Sequence, residues 1–177
     1  MTSEITSPTW RGALFIVIIA SICWLGGANI RALIGSQMLR PGTLEFAEYL
    51  APEAEREIFR LLSLSSITII VSYLATLISS TVFLSTCPFK MKQHGWLLMS
   101  AILFYLFVPV EFFVMYLDGR MIYLEFWTTE NNQVLRELFL ARLGALAGAP
   151  LIATLCYYTI IFLVVFQPLK KIEPRLA

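Results

Sequence analysis

Four apolar runs, each long enough to cross a bilayer as a helix, leave this chain few folds to choose from. They occupy residues 12–35, 61–86, 96–117 and 144–166. A helix rises about 1.5 Å per residue, so roughly 20 residues cross a hydrocarbon layer ~30 Å thick. The runs are continuous rather than alternating, and they exceed the roughly 10 residues of a barrel strand. The chain has 177 residues, 58% of them hydrophobic and 14% charged, with a mean hydropathy of +0.76. A water-soluble domain of that length cannot bury so much apolar surface, whereas lipid solvates it. The sequence predicts an all-α integral membrane protein. The first run, which follows Arg11, is read as an uncleaved span rather than a leader.

Between the runs a polar segment recurs. LEFAEYLAPEAEREIF at 44–59 and LEFWTTENNQVLRELF at 124–139 share Leu-Glu-Phe and, after a nine-residue gap, Arg-Glu-(Ile or Leu)-Phe. The same shift of 80 pairs Arg40 with Arg120, Pro88 with Pro168 and Lys90 with Lys170. The identities fall at equivalent structural points: a loop start, a helix entry and a Pro-x-Lys stop. Each unit has two spans, so both copies cross the membrane in the same direction. The expected architecture is a four-transmembrane-helix bundle of two tandem, parallel hairpin repeats with pseudo-two-fold symmetry. It forms one membrane domain, 1–177, with repeat units 11–90 and 91–170 and a C-terminal tail at 171–177.

Pro52, followed by Glu53 and Glu55, is a favourable helix start, because proline fits the first turn and acids suit the positive helix end. The helix begun there is expected to run unbroken to Thr86. In the second copy Thr128 or Thr129 is expected to cap the equivalent helix. All four lysines, Lys90, Lys92, Lys170 and Lys171, fall in the 87–95 turn and the C-terminal tail. The 38–60 and 118–142 loops instead carry nine of the twelve carboxylates. By the positive-inside rule both termini are cytoplasmic, in a membrane of bacterial inner-membrane type.

Arg31 and Glu111 stand well inside the apolar runs and are equivalent under the shift of 80. Intramembrane charges usually face a bundle interior and find partners, so the two form a candidate intramembrane pair. A static pair, or an Arg31 that snorkels, is preferred here to a proton relay. Ser65, Thr68, Ser72, Thr76 and Ser79 recur at three- and four-residue intervals, and Gly144 and Gly148 form a small-xxx-small pattern. These are candidate helix-packing faces. Phe46, Phe59, Phe126, Trp127 and Phe139 sit on the two recurring tips as interfacial anchors or as a partner-docking surface.

Several function classes are disfavoured. A formal charge of +1 without a basic stripe argues against nucleic acid. Cys23, Cys87 and Cys156 have no pairing framework, and a single histidine, His94, cannot supply bis-histidine haem ligation. There is no metal-ligand spacing, no Ser-His-Asp set and no phosphate loop. The expectation is a non-catalytic subunit of a larger membrane complex, without a cofactor of its own but with bound lipids. Its partners would be other integral membrane subunits or further copies of itself. The alternative is a small membrane transport protein, or a transporter's small four-helix membrane subunit.

Overall fold

The structure, a computed structural model, describes residues 9–47, 50–89, 91, 94–128 and 132–168. Six α-helices and one 3-10 turn follow in order: α1 (Thr9–Ser36), α2 (Pro52–Thr86), α3 (Gly95–Leu106), α4 (Val108–Trp127), α5 (Asn132–Leu143), the 3-10 turn (Ala145–Gly148) and α6 (Ala149–Phe166). Four stretches are long and apolar enough to cross a membrane: α1, α2, α3 with α4 as Gly95–Trp127, and α6. They divide into two units. One comprises residues up to 87 together with 115–142, and the other 88–114 together with 143 onwards.

In the first unit, α1 and α2 are antiparallel. Trp24 meets Tyr73 with ring centroids 4.9 Å apart, and a side chain begun at Gly27 would lie 3.1 Å from Ile69 Cγ1. The buried residues of α1 are Ala13, Ala20, Trp24, Arg31 and Gly35, at alternating steps of seven and four. Those of α2 run Glu55, Phe59, Leu62, Ser66, Ile69, Tyr73, Thr76 and Ser79, at steps of four and three, with Ser63 beside Leu62. Both are narrow seams of the kind that pack left-handed helix pairs, and small residues along them let the backbones approach. The remaining faces expose large apolar side chains such as Phe15, Ile22, Leu33, Val71 and Ile78, as lipid contact requires.

Helix α2 has the expected bounds, Pro52–Thr86, and at 35 residues it is about 52 Å long. Proline and two acids open it. It stops where Cys87 turns extended ahead of Pro88, the conformation proline imposes on its predecessor. Between α1 and α2 the chain makes a small antiparallel turn. The Arg40 amide donates to the Glu45 carbonyl at 2.8 Å, and the Ala47 amide to the Met38 carbonyl at 2.9 Å. Gly42, with φ +79°, supplies the left-handed residue the turn needs.

In the second unit α3 packs on α6. Tyr157 lies against Phe104 and Phe107, with centroids 6.1 and 6.3 Å away. The third span breaks between Leu106 and Val108, where Phe107 adopts φ −94° and ψ 0°. Pro109 has no amide hydrogen, so the helical bond back to Tyr105 is lost; the ladder resumes when the Glu111 amide donates to Phe107 at 3.0 Å.

Three sequence expectations need correction. The third run does not end at residue 117: α4 continues to Trp127 and makes Asp118, Arg120 and Glu125 helical. The fourth stretch is not one helix from the second tip. Thr128 donates its hydroxyl back to the Leu124 carbonyl, Thr129 lies outside the described residues, and α5 is a separate helix starting at Asn132. Gly144 and Gly148, expected on a packing face, bound the 3-10 break between α5 and α6. Gly148 has φ +88° and meets nothing where a side chain would start, so it serves backbone freedom rather than close packing.

Candidate functional site

The seam of α1 carries one charge, Arg31, only 3% exposed. Its partner comes from α4. The Arg31 guanidinium donates from Nη1 to Asp118 Oδ2 at 2.7 Å, and Arg142, in the last turn of α5, donates from Nε to Asp118 Oδ1 at 2.6 Å. Both carboxylate oxygens are therefore engaged, by side chains from two other helices. The Asp118 side chain is 2% exposed and that of Arg142 24%. Two guanidiniums around one carboxylate leave one positive charge in excess. The second terminal nitrogen of Arg31, Nη2, is buried and has no hydrogen-bond partner among the described residues. Arg142 also prolongs the buried line Leu135, Leu138 and Phe139 of α5, which points it inward.

A second cluster joins the two recurring tips. Arg136 of α5 grips Glu55 of α2 with both arms, Nε to Oε1 and Nη2 to Oε2, the latter at 2.6 Å. Asn132 donates from Nδ2 to the Pro52 carbonyl at 3.2 Å, and Arg56 pairs with Glu125 at 3.2 Å. The hydrogen bond to Glu55 pushes the Arg136 pKa above its ordinary value. A cation with a raised pKa contributes stability at every pH below its unfolded value, and that contribution is lost only in strong alkali. Under these polar contacts, Phe139 stands between Phe46 and Phe59, with centroids 6.1 and 6.3 Å away, and Arg136 lies 5.1 Å over the Phe46 ring.

The candidate residues have the following partners and burial. Arg31 takes Asp118 as its ion-pair partner, whereas Glu111 accepts a hydrogen bond from the Tyr157 hydroxyl at 3.1 Å within the second unit. Phe59 and Phe139 are buried in the first unit and Phe46 is half-buried against them, so these three build the core rather than a docking surface. Phe126 and Trp127 remain exposed, at 41% and 70%. Of the hydroxyl stripe, Thr76 and Ser79 are buried, Ser65 and Ser72 half-buried, and Thr68 exposed. Ser65, Thr76 and Ser79 donate to carbonyls of their own helix, which satisfies them locally.

Sequence reasoning passed over Asp118, Arg142, Glu55 and Arg136. A signal for Asp118 existed: it follows Glu111 by seven residues, two turns on the same side of a straight helix. No group of three or more His, Cys, Asp or Glu residues that could hold a metal occurs among the described residues. These features define a helical protein with four helices long and apolar enough for a membrane, and with its buried charges joined in ion pairs between helices. No protein-family model matches the chain, and neither does any curated protein or solved structure.

Proposed function

We propose that this protein is a non-catalytic integral-membrane subunit of a larger membrane complex, seated in a bacterial inner membrane with both termini cytoplasmic. One observation carries the reading. Among the described residues the three buried charged ones, Arg31, Glu55 and Asp118, are all engaged by oppositely charged partners on other helices. Charges held in this way fix helix positions; a conducting or catalytic group must instead change partner or protonation state. Phe126 and Trp127, packed edge to face at 6.2 Å and exposed, are the surface offered to a neighbouring subunit. The tandem-repeat origin is supported by contacts between positions 80 apart: Asn132 with Pro52, and Phe139 with Phe59. The test is purification in mild detergent, followed by mass spectrometry of what co-migrates. A stoichiometric larger membrane partner is expected; a homo-oligomer alone overturns the reading.

The second reading, a small transport protein, rests on Glu111, a carboxylate within an apolar run hydrogen-bonded to a phenol. Glu111→Gln keeps an acceptor for Tyr157 and removes titration. Its expression, assembly and cellular phenotype are expected to match wild type, measured by complementation of a deletion strain. Loss of function with normal assembly would favour proton-coupled transport.

The orientation has its own test. Thr43 and Glu53 are exposed on the first tip. Cysteines placed there are expected to react with an impermeant maleimide in intact spheroplasts. Reaction only after the membrane is opened would reverse the topology.

A further inference from the structure

We propose that the outward face of α4 between Tyr116 and Tyr123 binds the headgroup of an anionic phospholipid, with Arg120 as its phosphate contact. Arg120 is exposed and has no ion-pair or hydrogen-bond partner among the described residues. The acids nearest in sequence do not neutralise it. Asp118 is held by Arg31 and Arg142, and Glu125 by Arg56. Tyr116, Gly119, Arg120, Tyr123 and Leu124 line a notch of about 450 Å³, a size within the usual range of small-ligand sites. Nothing lies within 4 Å of where a Gly119 side chain would start, so the floor of the notch is open.

Depth selects the occupant. Asp118, two residues earlier on α4, bonds to Arg31, five residues before α1 ends at Ser36. Arg120 therefore stands where the first span gives way to the polar tip, the level of lipid phosphates. Tyrosine and tryptophan favour this same level, and Tyr123 stacks on Trp127 with centroids 6.3 Å apart and planes 9° apart. A guanidinium presents a planar pair of donors that matches two phosphate oxygens, and its excess charge here is complementary to an anionic headgroup.

The test uses the full chain in mild detergent, titrated with phosphatidylglycerol or phosphatidylcholine, with lipid-bound species counted by native mass spectrometry. Wild type is expected to hold phosphatidylglycerol about fivefold tighter, the worth of one arginine at an anionic surface. Arg120→Gln, at an exposed site without a partner among the described residues, is expected to abolish that preference. Gly119→Leu fills the notch while keeping the charge, and is expected to weaken binding as well, which separates a built site from general attraction. Arg40→Gln, at an exposed residue of the first tip's turn that pairs with Glu45, is expected to leave the preference intact. Equal retention of both lipids by wild type overturns the proposal, as does an undiminished preference in Arg120→Gln. So does displacement of the lipid by millimolar glycerol phosphate, which would mark a soluble-anion site, or a stoichiometric protein whose binding, in place of lipid, is lost in Arg120→Gln.

Discussion

Asp118→Ala is expected to be the most damaging single substitution in this protein, lowering stability by about 3–5 kcal/mol. It removes the carboxylate that engages Arg31 and Arg142 together and leaves Arg31 buried without an anion. A buried ion pair need not stabilise relative to apolar residues of equal volume, but breaking one by deleting a single partner leaves a charge without compensation. Arg142→Ala is expected to cost less, because Arg142 is partly exposed and Asp118 keeps Arg31. The measurement is reversible unfolding of the purified protein in detergent micelles. Equal and small losses for the two variants would mean that Asp118 does not anchor the cluster.

Phe139→Ala is the second substitution with a large expected effect, again about 3–5 kcal/mol, through the cavity it opens. Its ring is 3% exposed and contacts Phe46 and Phe59, and a side chain begun at Gly35 would meet it at 3.1 Å. Phe139 therefore ties α1, α2 and α5 to the turn after α1. Gly35→Val is expected to disturb the same point from the other side, by overpacking. Trp127→Ala, by contrast, trims a residue that is 70% exposed. It is expected to change stability by under about 0.5 kcal/mol while lowering recovery of a partner subunit. Thermal unfolding and co-purification, read side by side on these variants, separate the buried aromatic core from the outward-facing aromatics.

How much of this was legible in the sequence depends on whether the deciding interaction was local. The bounds of α2 were, because Pro52 with its acids opens the helix and Pro88 closes it within a few residues of each end. The end of the third span was not. Asp118 resembles a loop charge until its partner is known, and that partner, Arg31, lies 87 residues away. The hydroxyl stripe of α2 was placed nearly one residue out of phase at its start. Its buried seam is set by Phe59, Leu62, Ile69 and Tyr73, and it takes in Ser63 and Ser66 while leaving Thr68 exposed. Spacing alone cannot choose between adjacent faces of a helix that is apolar all round. The recurring phenylalanines were recognised as equivalent, but not as neighbours. Phe59 and Phe139 meet because the two tips pack on each other, which neither tip reveals alone.

Whether buried charge holds these helices together is tested most directly by a double-mutant cycle on Arg31 and Asp118. Arg31→Leu, Asp118→Leu and the double variant are unfolded in the same micelles, and the coupling energy is taken from the four stabilities. The 2.7 Å bond between two side chains almost wholly removed from solvent predicts a coupling of at least about 1 kcal/mol. The double variant should therefore be more stable than Asp118→Leu alone, since it no longer strands a guanidinium. Additivity within about 0.5 kcal/mol, with the double variant the least stable of the four, would contradict it.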